Sequence, residues 1–522
     1  MIFYLNSAKC IGIEAVPVTV EIDITAGIGF HLVGLADVAV KESLLRTITA
    51  LQSLDYHIPG KKVVINLAPA DMHKSGSGYD LPIAIGVIAA SGQAVFPNLD
   101  KYLVMGELGL DGSVRNVPGA LPIVELAARK GFKGVILPLG SSLEAVEIPG
   151  VDIYGVSKLD DVVRILEEVF DCSDLLATSS DLYRKESRGE RRHSRREVEV
   201  DFSEIMGQEC AKRGMEISAA GGHNMIMIGP PGSGKSSMAK ALAGILPPMC
   251  RDEAVLTSKI YSVAGKGGGR FGLMRERPFR APHYSASLPA LLGGGSGENI
   301  CPGEVSLANG GVLFLDEFAQ MPRAVMEALR GPLEDREVTI SRLKSKVRYP
   351  ASFIRVAATN PCPCGYYGEG DRCTCSVGQR LGYLSRLSGP IMDRIDVQVW
   401  MHPVPAGKLV GRRSAEPSSE IAARVLKARI LQKHRFVNES IFVNAEMSPR
   451  QIEKYCPLSD ECKVLLGKLI DTMGLSARAV SRIVKVARTI ADLADSADIL
   501  PAHLAEAASF RFLDKKDPLV MT

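Results

Sequence analysis

One stretch decides the fold of this chain, Gly229-Pro230-Pro231-Gly232-Ser233-Gly234-Lys235-Ser236. It follows the apolar, strand-like run 224–228 and precedes a helical run that begins at Ser237. The pattern G-x-x-x-x-G-K-S between a strand and a helix predicts a loop whose backbone N–H groups point at phosphate oxygens. The N-terminus of the following helix adds partial positive charge. We expect residues 229–237 to hold MgATP, with Lys235 on the β- and γ-phosphates and the Ser236 hydroxyl on magnesium.

Two further apolar, strand-like runs end in polar residues and complete the predicted site. The run 311–315 leads to Asp316 and Glu317, and the run 354–359 leads to Asn360. Strands buried on both faces of a parallel sheet open at their carboxyl edge, where phosphates bind. We expect Asp316 to hold magnesium, directly or through water, and Glu317 to polarise the attacking water. Asn360 is placed to sense the γ-phosphate or to fix the water.

Composition narrows the class of protein. A length of 522 residues suggests about three domains, and 46% hydrophobic with 23% charged residues is ordinary for a globular protein. The formal net charge is only +3, so any contact with nucleic acid has to come from local patches. The first residues lack the basic start of a secretory signal. The longest apolar run, 81–90, is about half of what a membrane span needs, so we expect a cytoplasmic protein without membrane contact.

The chain divides into four parts by pattern. Residues 1–171 alternate β-like and helix-like runs and are predicted to form one α/β domain. Residues 172–200 contain many charged and few apolar residues, which is typical of a flexible linker. A second α/β block with Gly-rich loops covers 201–402, and the pattern of 403–522 is helical.

Periodicity predicts the individual elements of the first and last parts. We expect β-like runs at 16–24, 62–67, 134–138 and 151–154. We expect helices at 38–51, 81–90, 121–130, 418–433, 448–455, 459–473, 477–494 and 501–512.

Four of the eleven cysteines are close together in the sequence, at Cys362, Cys364, Cys373 and Cys375. Four thiolates on a tight loop suit tetrahedral zinc, although the spacing C-x-C departs from the usual structural pairing C-x₂₋₄-C. Disulfides are the alternative, and a reducing cytosol disfavours them. We expect a structural rather than a catalytic zinc, because four cysteines leave no open position on the metal.

Several further stretches match one family, namely 207–209 (GQE), 211–213 (AKR), 219–224 (AAGGHN), 277–285 (RPFRAPHYS), 302–308 (PGEVSLA), 360–365 (NPCPCG), 477–479 (ARA) and 487–493 (ARTIADL). Over essentially its whole length the chain resembles the YifB/ComM-type, magnesium-chelatase-like AAA+ ATPases. The resemblance implies an α/β P-loop AAA+ core with a parallel sheet, followed by an α-helical lid. This family is similar to the MCM and magnesium-chelatase branch of AAA+ proteins, which assemble as rings, and it implies a homo-oligomer of hexameric type.

The resemblance also implies roles for two arginines. Arg394 becomes the arginine finger, which reaches the γ-phosphate of the neighbouring subunit and stabilises transition-state charge, by about 10³–10⁵ in rate. Arg478 becomes the sensor-2 arginine on the lid, with Arg482 as a competing candidate. In isolation, an arginine between Asp393 and Asp396 is typical of a surface salt bridge instead.

The same branch carries two insertions in its ATPase core. We expect one at the Gly-rich stretches 277–287 and 292–297, and the other as a hairpin at 337–349. The cations of this hairpin are Arg342, Lys344, Lys346 and Arg348. On a hairpin that points into a ring lumen they would suit a nucleic-acid backbone. A solvated loop fits the residues equally well, and the resemblance favours single-stranded or branched DNA as the partner.

Residues 1–171 resemble the proteolytic domain of Lon in the stretches 105–108, 127–128 and 135–138. Cleavage of the Lon type needs a serine nucleophile activated by a lysine. Alignment puts Gly78 where the serine should be and Pro122 where the lysine should be. We therefore expect a Lon-protease-like but non-proteolytic module for binding or assembly.

Three classes of function follow from these features. The first is an ATP-hydrolysing ring motor that acts on DNA as a helicase or branch-migration translocase. The second is an ATP-driven remodelling subunit of the magnesium-chelatase type. The third is an ATP-dependent protease, which Gly78 and Pro122 disfavour. Stimulation of ATP hydrolysis by DNA separates the first class from the other two.

Overall fold

The computed structural model describes residues 2–35, 37–181, 183, 200–267, 271–295, 300–342, 345–387, 389–403 and 415–514. Within these residues the chain forms a seven-stranded sheet near its N-terminus, a five-stranded sheet in its middle and a helical C-terminal part. None of the helices in these ranges is long and apolar enough to cross a membrane.

The N-terminal unit is a mixed α/β structure. Its strands are β1 (Phe3–Ile11), β2 (Glu14–Thr25), β3 (Gly29–Val33), β4 (Lys62–Ala68), β5 (Tyr102–Val104), β6 (Glu107–Leu108), β7 (Val114–Arg115), β8 (Gly134–Pro138) and β9 (Asp152–Val156). Its helices are α1 (Val38–Ser53), α2 (Asp80–Ala90), α3 (Ala120–Lys130), α4 (Leu139–Ser142) and α5 (Leu159–Glu167). The sheet order is β3-β4-β2-β1-β5-β8-β9. β2 is antiparallel to β1 and β4, and the other neighbours run parallel.

Burial along the strands of this unit follows their surroundings. In β4 the side chains alternate, with Val63, Ile65 and Leu67 buried, which is the pattern of a strand with one face on a core. β8 is buried at every position, which is the pattern of a parallel strand covered on both faces. The predicted strands and helices of this unit are confirmed, while the sequence analysis missed β1, β3, β5, β6, β7, α4 and α5.

The N-terminal unit extends beyond the predicted boundary at residue 171. Ser173–Leu175 and Ala177–Ser179 form short 3₁₀ turns, and Leu176 makes a β-bridge with Tyr154 of β9. Ala177 is buried, so this segment adds to the core of the unit. The linker prediction is therefore corrected for residues 172–181. Its remainder falls largely on residues 182 and 184–199, which lie outside the described residues.

The middle of the chain forms a second α/β unit. Its strands are β10 (Met225–Ile228), β11 (Phe279–Arg280), β12 (Gly293–Gly294), β13 (Cys301–Pro302), β14 (Val312–Leu315), β15 (Glu337–Arg342), β16 (Ser345–Pro350), β17 (Ile354–Thr359) and β18 (Val397–Trp400). Its helices are α6 (Glu209–Gly221), α7 (Lys235–Ile245), α8 (Arg251–Val263), α9 (Leu288–Leu292), α10 (Glu304–Leu307), α11 (Arg323–Ala328), α12 (Arg330–Asp335), α13 (Val377–Leu384) and α14 (Gly389–Met392). The central sheet has the order β11-β14-β17-β10-β18, and every pair is parallel.

A parallel sheet of this kind has two chemically different edges. The strands β10, β14 and β17 are buried at every position and end at one carboxyl edge, where Ile228 pairs with Thr359 and Leu315 pairs with Ala357. The amino ends of β10, β17 and β18 form the opposite edge. A strand of four residues separates the two edges by about 13 Å at roughly 3.3 Å per residue.

The predicted hairpin is confirmed as β15 and β16, which pair from Glu337 opposite Pro350 to Arg342 opposite Ser345. Val338, Ile340, Val347 and Tyr349 are buried, while Thr339, Ser341, Lys346 and Arg348 are exposed. Because side chains alternate along a strand, one face of the hairpin packs on the core and the other faces solvent.

The C-terminal part, which was predicted to form the lid, is helical and consists of α15 (Ser418–Arg435), α16 (Pro449–Tyr455), α17 (Asp460–Met473), α18 (Ala477–Leu493) and α19 (Pro501–Ser509). Three of its helices start at serine caps, Ser448, Ser459 and Ser476, whose hydroxyls accept backbone N–H groups of the first turn. Buried residues of the lid, such as Val425 and Ile483, join one apolar cluster with residues of the central sheet. The five predicted helices are confirmed.

The N-terminal unit contacts the middle unit through α3 and α8. The N–H of Gly119, which precedes α3, donates to the Ser262 carbonyl at 2.9 Å. Lys259 of α8 pairs with Glu14 at 3.2 Å and also with Glu125. Apolar side chains of both units form a shared cluster that includes Leu121 of α3 together with Met249, Ala254 and Leu273. The two units are therefore joined by packing as well as by charge.

Candidate active site

The predicted phosphate-binding loop connects β10 to α7 at the carboxyl edge of the central sheet. Lys235 is 9% exposed and its ammonium donates to the carbonyls of Gly229 and Pro230 at 2.7 and 2.8 Å. It also donates to Asn360 Oδ1 at 3.3 Å. Burial lowers the pKa of Lys235, and the nearby carboxylates of Asp316 and Glu317 oppose that effect. The lysine is thus held at the loop by acceptors that phosphate oxygens can replace.

The glycines of this loop leave space where a phosphate chain has to lie. Gly232 and Gly234 have φ angles of 77° and 88°, which side chains other than glycine rarely adopt. A Cβ on either residue would meet no heavy atom within 4 Å, so the loop is open on that side. Gly234 directly precedes α7, whose free N–H groups attract anions. The loop therefore fits a nucleotide phosphate chain.

Oxygen atoms suited to magnesium converge beside the loop. The Ser236 hydroxyl donates to Asp316 Oδ2 at 3.1 Å, which joins the start of α7 to the end of β14. The other carboxylate oxygen, Asp316 Oδ1, accepts the Glu317 N–H at 2.9 Å. A hydroxyl and a carboxylate are hard oxygen donors, the kind that Mg²⁺ prefers. The residues present at this position fit the expected metal.

Glu317 has a strained backbone. Its φ and ψ angles are 48° and 39°, in the left-handed region, which costs a residue with a side chain on the order of 1–3 kcal/mol. Such strain persists only where the surrounding structure imposes it, and it concentrates at functional sites. At Glu317 it occurs directly after the buried strand β14, one residue from the predicted magnesium ligand Asp316.

The sequence analysis gave no role to Gln208, which the structure places against the loop. The Gln208 side-chain amide donates to the Ser233 carbonyl at 3.3 Å and to the His402 carbonyl at 2.5 Å. It thereby joins the phosphate loop to the segment after β18. A glutamine before a helix carries no chemical signature of its own, and the match of residues 207–209 to the family was the only available signal.

Arg394 lies at the amino edge of the sheet, opposite the phosphate loop. It precedes β18 by three residues, and its carbonyl accepts the Asn224 side-chain amide at 3.3 Å just before β10. Its guanidinium pairs with Glu334 of α12, not with Asp393 or Asp396 as the surface salt-bridge alternative had it. The Arg394 side chain is 8% exposed, while that of Glu334 is 54% exposed. Arg394 is therefore remote from the phosphate loop of its own chain.

The two lid arginines lie at the same amino edge. Arg482 pairs with Asp396, and Arg478 is 4.0 Å from Asp393 with 69% of its side chain exposed. Burial alone would raise the pKa of Asp396, but Arg482 and His223 outweigh it and hold that pKa well below its usual range. Arg482 is thus occupied by a buried carboxylate, whereas Arg478 is accessible from solvent. Of the two sensor-2 candidates, Arg478 is the more available to a neighbouring molecule.

A polar cavity of about 490 Å³ opens between this amino edge and the lid. Six cationic side chains line it, from Arg277, Arg336, Arg394, Arg429, Arg482 and Lys485. Acidic partners face several of them, among them Glu253, Glu334 and Asp396. Arg394 is therefore one of several charged side chains that line this cavity, and it is not part of an isolated surface pair.

The hairpin β15–β16 carries its cations on the solvent face. Lys346 and Arg348 are exposed, opposite Ser341 and Thr339 in the register, and Arg348 is 3.6 Å from Glu337. Lys344 and the side chain of Arg342, which were predicted to act with them, lie outside the described part of the chain. Two of the four predicted cations therefore form an exposed pair on one face.

The four predicted cysteines converge on the loop after β17. Their Sγ atoms all lie within 4.8 Å of one another, and none is in a disulfide. The Sγ of Cys362 is 3.3 Å from that of Cys364 and 3.8 Å from that of Cys373. Four sulfurs around one tetrahedral zinc at about 2.3 Å would be roughly 3.8 Å apart. The donor set and its spacing fit zinc.

The two positions at which Lon has its catalytic groups are filled by packing. A Cβ on Gly78 would be 2.6 Å from Met105 Cε and 3.5 Å from Val117 Cγ1, so a side chain there requires Met105 to move. Pro122 is buried inside α3, the helix that contacts Ser262 of the middle unit. Neither position offers the space or the chemistry of a serine–lysine pair.

This fold and this site define a P-loop nucleotide-binding protein of the AAA+ class. Three family models cover the chain, described as magnesium chelatase, subunit ChlI, over residues 201–409, subunit ChlI of Mg-chelatase over 20–141, and magnesium chelatase, subunit ChlI C-terminal, over 415–511. Competence protein ComM of Haemophilus influenzae is 40% identical over 508 residues, which is 97% of this chain and 96% of ComM. YifB of Salmonella typhimurium is 39% identical over 513 residues, which is 98% of this chain and 97% of YifB. The chain belongs to the magnesium-chelatase-like AAA+ family of which ComM and YifB are members.

Two more distant relatives match parts of the chain. The archaeal Lon protease of Methanocaldococcus jannaschii is 26% identical over 150 residues, 29% of this chain and 23% of its own length. The DNA replication licensing factor Mcm6 of Drosophila pseudoobscura is 22% identical over 349 residues, 60% of this chain and 37% of its own length. These matches agree with the two resemblances drawn from the sequence.

Substitutions in the phosphate loop and at the end of β14 should separate binding from hydrolysis. Lys235→Ala should abolish ATP binding, because it removes the ammonium nearest the predicted phosphates. Glu317→Gln should keep ATP binding and lower hydrolysis by at least about 10²-fold, because an amide is a poor base for the water. Equilibrium binding of a fluorescent ATP analogue and phosphate release measure the two effects. Lys240→Ala, an exposed lysine on the same helix, is the control. Normal hydrolysis by Glu317→Gln would disprove its assigned role.

Restoring a serine in the N-terminal unit should damage the fold without creating a protease. Gly78→Ser should lower the free energy of unfolding by about 1–3 kcal/mol, because its Cβ overlaps Met105. Thermal unfolding and casein cleavage are the measurements. Gly60→Ser is a matched control, since Gly60 is exposed and a Cβ there meets nothing within 4 Å. If Gly78→Ser cleaved casein, the packed-site interpretation would be wrong.

Proposed function

We propose that this chain is an ATP-hydrolysing AAA+ ring motor that acts on DNA as a helicase or branch-migration translocase. The observation that carries the proposal is the meeting of Lys235, Ser236, Asp316 and Asn360 at one sheet edge, with Ser236 Oγ 3.1 Å from Asp316 and Lys235 Nζ 3.3 Å from Asn360. Phosphate-binding, metal-binding and water-positioning groups are then within one site. The exposed cations of the hairpin supply the surface for DNA.

Each residue of the site has a separate task in this proposal. The ammonium of Lys235 holds the terminal phosphates, for which it exchanges its present carbonyl partners. Ser236 and Asp316 hold magnesium, which neutralises charge on the phosphates when bound. Glu317 accepts a hydrogen bond from the attacking water and orients it, and Asn360 fixes the other side of that water or the γ-phosphate.

The proposal assigns Arg394 and Arg478 to the nucleotide of a neighbouring subunit. Both lie at the amino edge of the sheet, and their own phosphate loop is at the carboxyl edge about 13 Å of strand away. Neither can serve its own nucleotide without a large movement. In the proposed ring, the amino edge of one subunit faces the carboxyl edge of the next. Arg394 then leaves Glu334 and contacts the transferring phosphate of that neighbour, and the exposed Arg478 contacts the same nucleotide. Hydrolysis then depends on assembly, which supports a homo-oligomeric ring, a hexamer by analogy with the family.

DNA is the proposed substrate because the hairpin has exposed cations and because a similar protein is named for a role with DNA. The hairpin exposes Lys346 and Arg348 on one face and packs its other, apolar face on the core of the middle unit. Such cations bind a phosphate backbone without reading its sequence. One similar protein is named as a DNA replication licensing factor, and that name favours a DNA substrate.

Two other functions have less support. A subunit of magnesium-chelatase type would use the same ATP site, and the names of the matching family models favour it. That function would leave ATP hydrolysis indifferent to DNA. A Lon-like protease is disfavoured, because Met105 fills the space beside Gly78.

The cofactors of the proposal are ATP and magnesium at the phosphate loop and a structural zinc ion at the four-cysteine loop. The zinc proposal is supported by the convergence of Cys362, Cys364, Cys373 and Cys375 within 4.8 Å. Four thiolate ligands close the coordination sphere, so this ion would hold structure and take no part in the chemistry.

DNA should stimulate the ATPase, and the hairpin should mediate that effect. We expect single-stranded and branched DNA to raise the hydrolysis rate, and Lys346→Ala with Arg348→Ala to remove most of the increase. Loss of two phosphate contacts should also reduce the slope of log affinity against log salt by about 1.4, since each contact contributes roughly 0.7 for single strands. Steady-state ATPase assays and DNA binding at several salt concentrations measure both effects.

A double variant on the lid serves as the control. Lys454→Ala with Lys463→Ala removes two lysines of similar exposure, 62% and 64%, from helices remote in sequence from the hairpin. It should leave stimulation by DNA unchanged. An ATPase rate that no DNA alters would overturn the DNA motor and favour the chelatase-type function.

Mixed assemblies should reveal whether Arg394 acts in trans. Arg394→Ala should bind ATP with near-normal affinity and hydrolyse it about 10³-fold more slowly, because the finger contacts charge that develops only at transfer. Mixing Arg394→Ala with Lys235→Ala subunits should restore part of the activity. In mixed rings an intact phosphate loop can face an intact finger.

The alternative hypothesis is that Arg394 acts only within its own subunit, through its contact with Glu334. If Arg394 only stabilises its own subunit through Glu334, each variant is impaired alone and the mixture shows no recovery of ATP hydrolysis. Arg164→Ala in the N-terminal unit, an exposed arginine paired with Asp174, is a control for the loss of a surface ion pair and should hydrolyse ATP normally.

A further inference from the structure

The four-cysteine loop touches the nucleotide site at two separate points. Cys362 follows Asn360 by two residues, and the side-chain oxygen of Asn360 accepts a hydrogen bond from Lys235 at 3.3 Å. Gly365 lies against Pro231 of the phosphate loop, so that a Cβ on Gly365 would be 3.0 Å from Pro231 Cδ. The loop therefore supports both the end of β17 and the phosphate loop beside it.

The same loop is anchored at its far side to two other elements. The Tyr367 ring makes an edge contact with Trp400 at the end of β18, with centroids 6.2 Å apart. Directly after Cys375, the Ser376 hydroxyl caps α13 by accepting the Gln379 N–H at 3.3 Å. The loop thus bridges β17, β18, α13 and the phosphate loop. A change in the shape of the four-cysteine loop would therefore displace the adjoining end of each of these four elements.

The loop has little apolar packing of its own to fix that shape. Of its four cysteines only Cys362 is buried, and the other three are partly exposed. The positive φ angles of Gly365 and Gly368, 89° and 92°, are tolerated by glycine but also add freedom to the unfolded loop. Where a small segment has no core, a bound metal supplies the energy that orders it. Four sulfurs within 4.8 Å provide such a site here.

We infer that a zinc ion bound by the four thiolates clamps the nucleotide site, so that metal occupancy sets the positions of Asn360 and Pro231 and with them the rate of ATP hydrolysis. The inference deepens the proposed function and rests on its ATPase part alone, not on DNA. Cys362, Cys364, Cys373 and Cys375 are positioning residues in this scheme, because they act on the nucleotide through Asn360 and Pro231.

Loss of the metal should affect two kinetic parameters by two routes. Displacement of Asn360 disturbs the γ-phosphate or the water and lowers kcat. Displacement of Pro231 disturbs the loop around the phosphates and raises KM for ATP. Misplacement of a reacting group by about 1 Å can cost about 10²-fold in rate, so we expect a decrease in kcat of at least about tenfold.

Metal analysis of the full-length protein tests the site itself. The purified chain should contain about one zinc per subunit, and Cys362→Ser with Cys375→Ser should lose it. Cobalt exchanged into the wild-type protein should give the charge-transfer absorption of tetrahedral thiolate ligation. Cys301→Ser removes an exposed cysteine outside the loop and should keep the zinc. Zinc near zero in the wild-type protein, with four loop thiols that titrate as free, would overturn the site.

Removal and return of the metal tests the clamp. The wild-type protein is stripped with a chelator under reducing conditions, and kcat and KM for ATP are measured without DNA before and after zinc is restored. Both parameters should recover on reloading, which loss of the overall fold would prevent. Unchanged kcat and KM in a protein shown to be free of zinc would overturn the clamp.

Gly365→Ala disturbs the contact with Pro231 and leaves the thiols intact. It should retain zinc and raise KM for ATP, because its Cβ presses on the phosphate loop in an unfavourable backbone conformation. Gly378→Ala, on the adjoining helix α13 where a Cβ meets nothing, is its control. Normal KM in Gly365→Ala would overturn the Pro231 part of the clamp. These assays omit DNA, so failure of the DNA motor leaves their outcome interpretable, and failure of the clamp leaves stimulation by DNA to be tested.

Discussion

β10 and β17 run parallel with Ile228 opposite Thr359, and this register brings the phosphate loop and Asn360 out of the sheet side by side. This arrangement provides hydrogen-bonding partners for the buried ammonium of Lys235. Lys235 is 9% exposed, and a charge removed from water needs hydrogen-bonding partners, which the loop carbonyls and Asn360 supply. A slip of one residue in this pairing would separate Asn360 from Lys235 and turn every side chain of β17 to its other face. The four-cysteine loop continues directly from the same strand, so its position depends on that register as well.

The features that sequence could predict are those encoded by neighbouring residues. The phosphate loop, the acids after β14, and the alternation of the hairpin strands are local patterns, and the structure has them at the predicted places. The cysteine cluster was also predictable, because short spacing forces four thiols together. The pairing of Arg394 with Glu334 was not, since sixty residues separate them and nothing local marks Glu334 as a partner. Residues 172–181 were taken for a linker because their polar composition does not reveal the bridge from Leu176 to Tyr154 of β9 or the burial of Ala177.

The proposed action of Arg394 in trans follows from the distribution of charged groups over the two edges of the sheet. The groups proposed to bind phosphate and water are at the carboxyl edge, and the cations proposed to stabilise the leaving charge are at the amino edge. Arg394 itself is 8% exposed and its partner Glu334 is 54% exposed, so the pair meets solvent on the side of the glutamate. That accessible side is the one from which a neighbouring subunit could approach in the proposed ring.

In the N-terminal unit, the two positions that align with the catalytic residues of Lon are occupied by packing. Met105 fills the space beside Gly78, and the segment that leads into α3 donates to Ser262 at the end of α8. The turn between β1 and β2 reaches the hairpin, where a Cβ on Gly12 would be 2.9 Å from Val347. Val347 belongs to the apolar face of the hairpin whose other face carries the exposed cations. Because the β1–β2 turn packs against this apolar face, the hairpin cannot shift toward the N-terminal unit without displacing that turn. Contacts at the hairpin and at α8 therefore hold the N-terminal unit against the middle unit at two separate places.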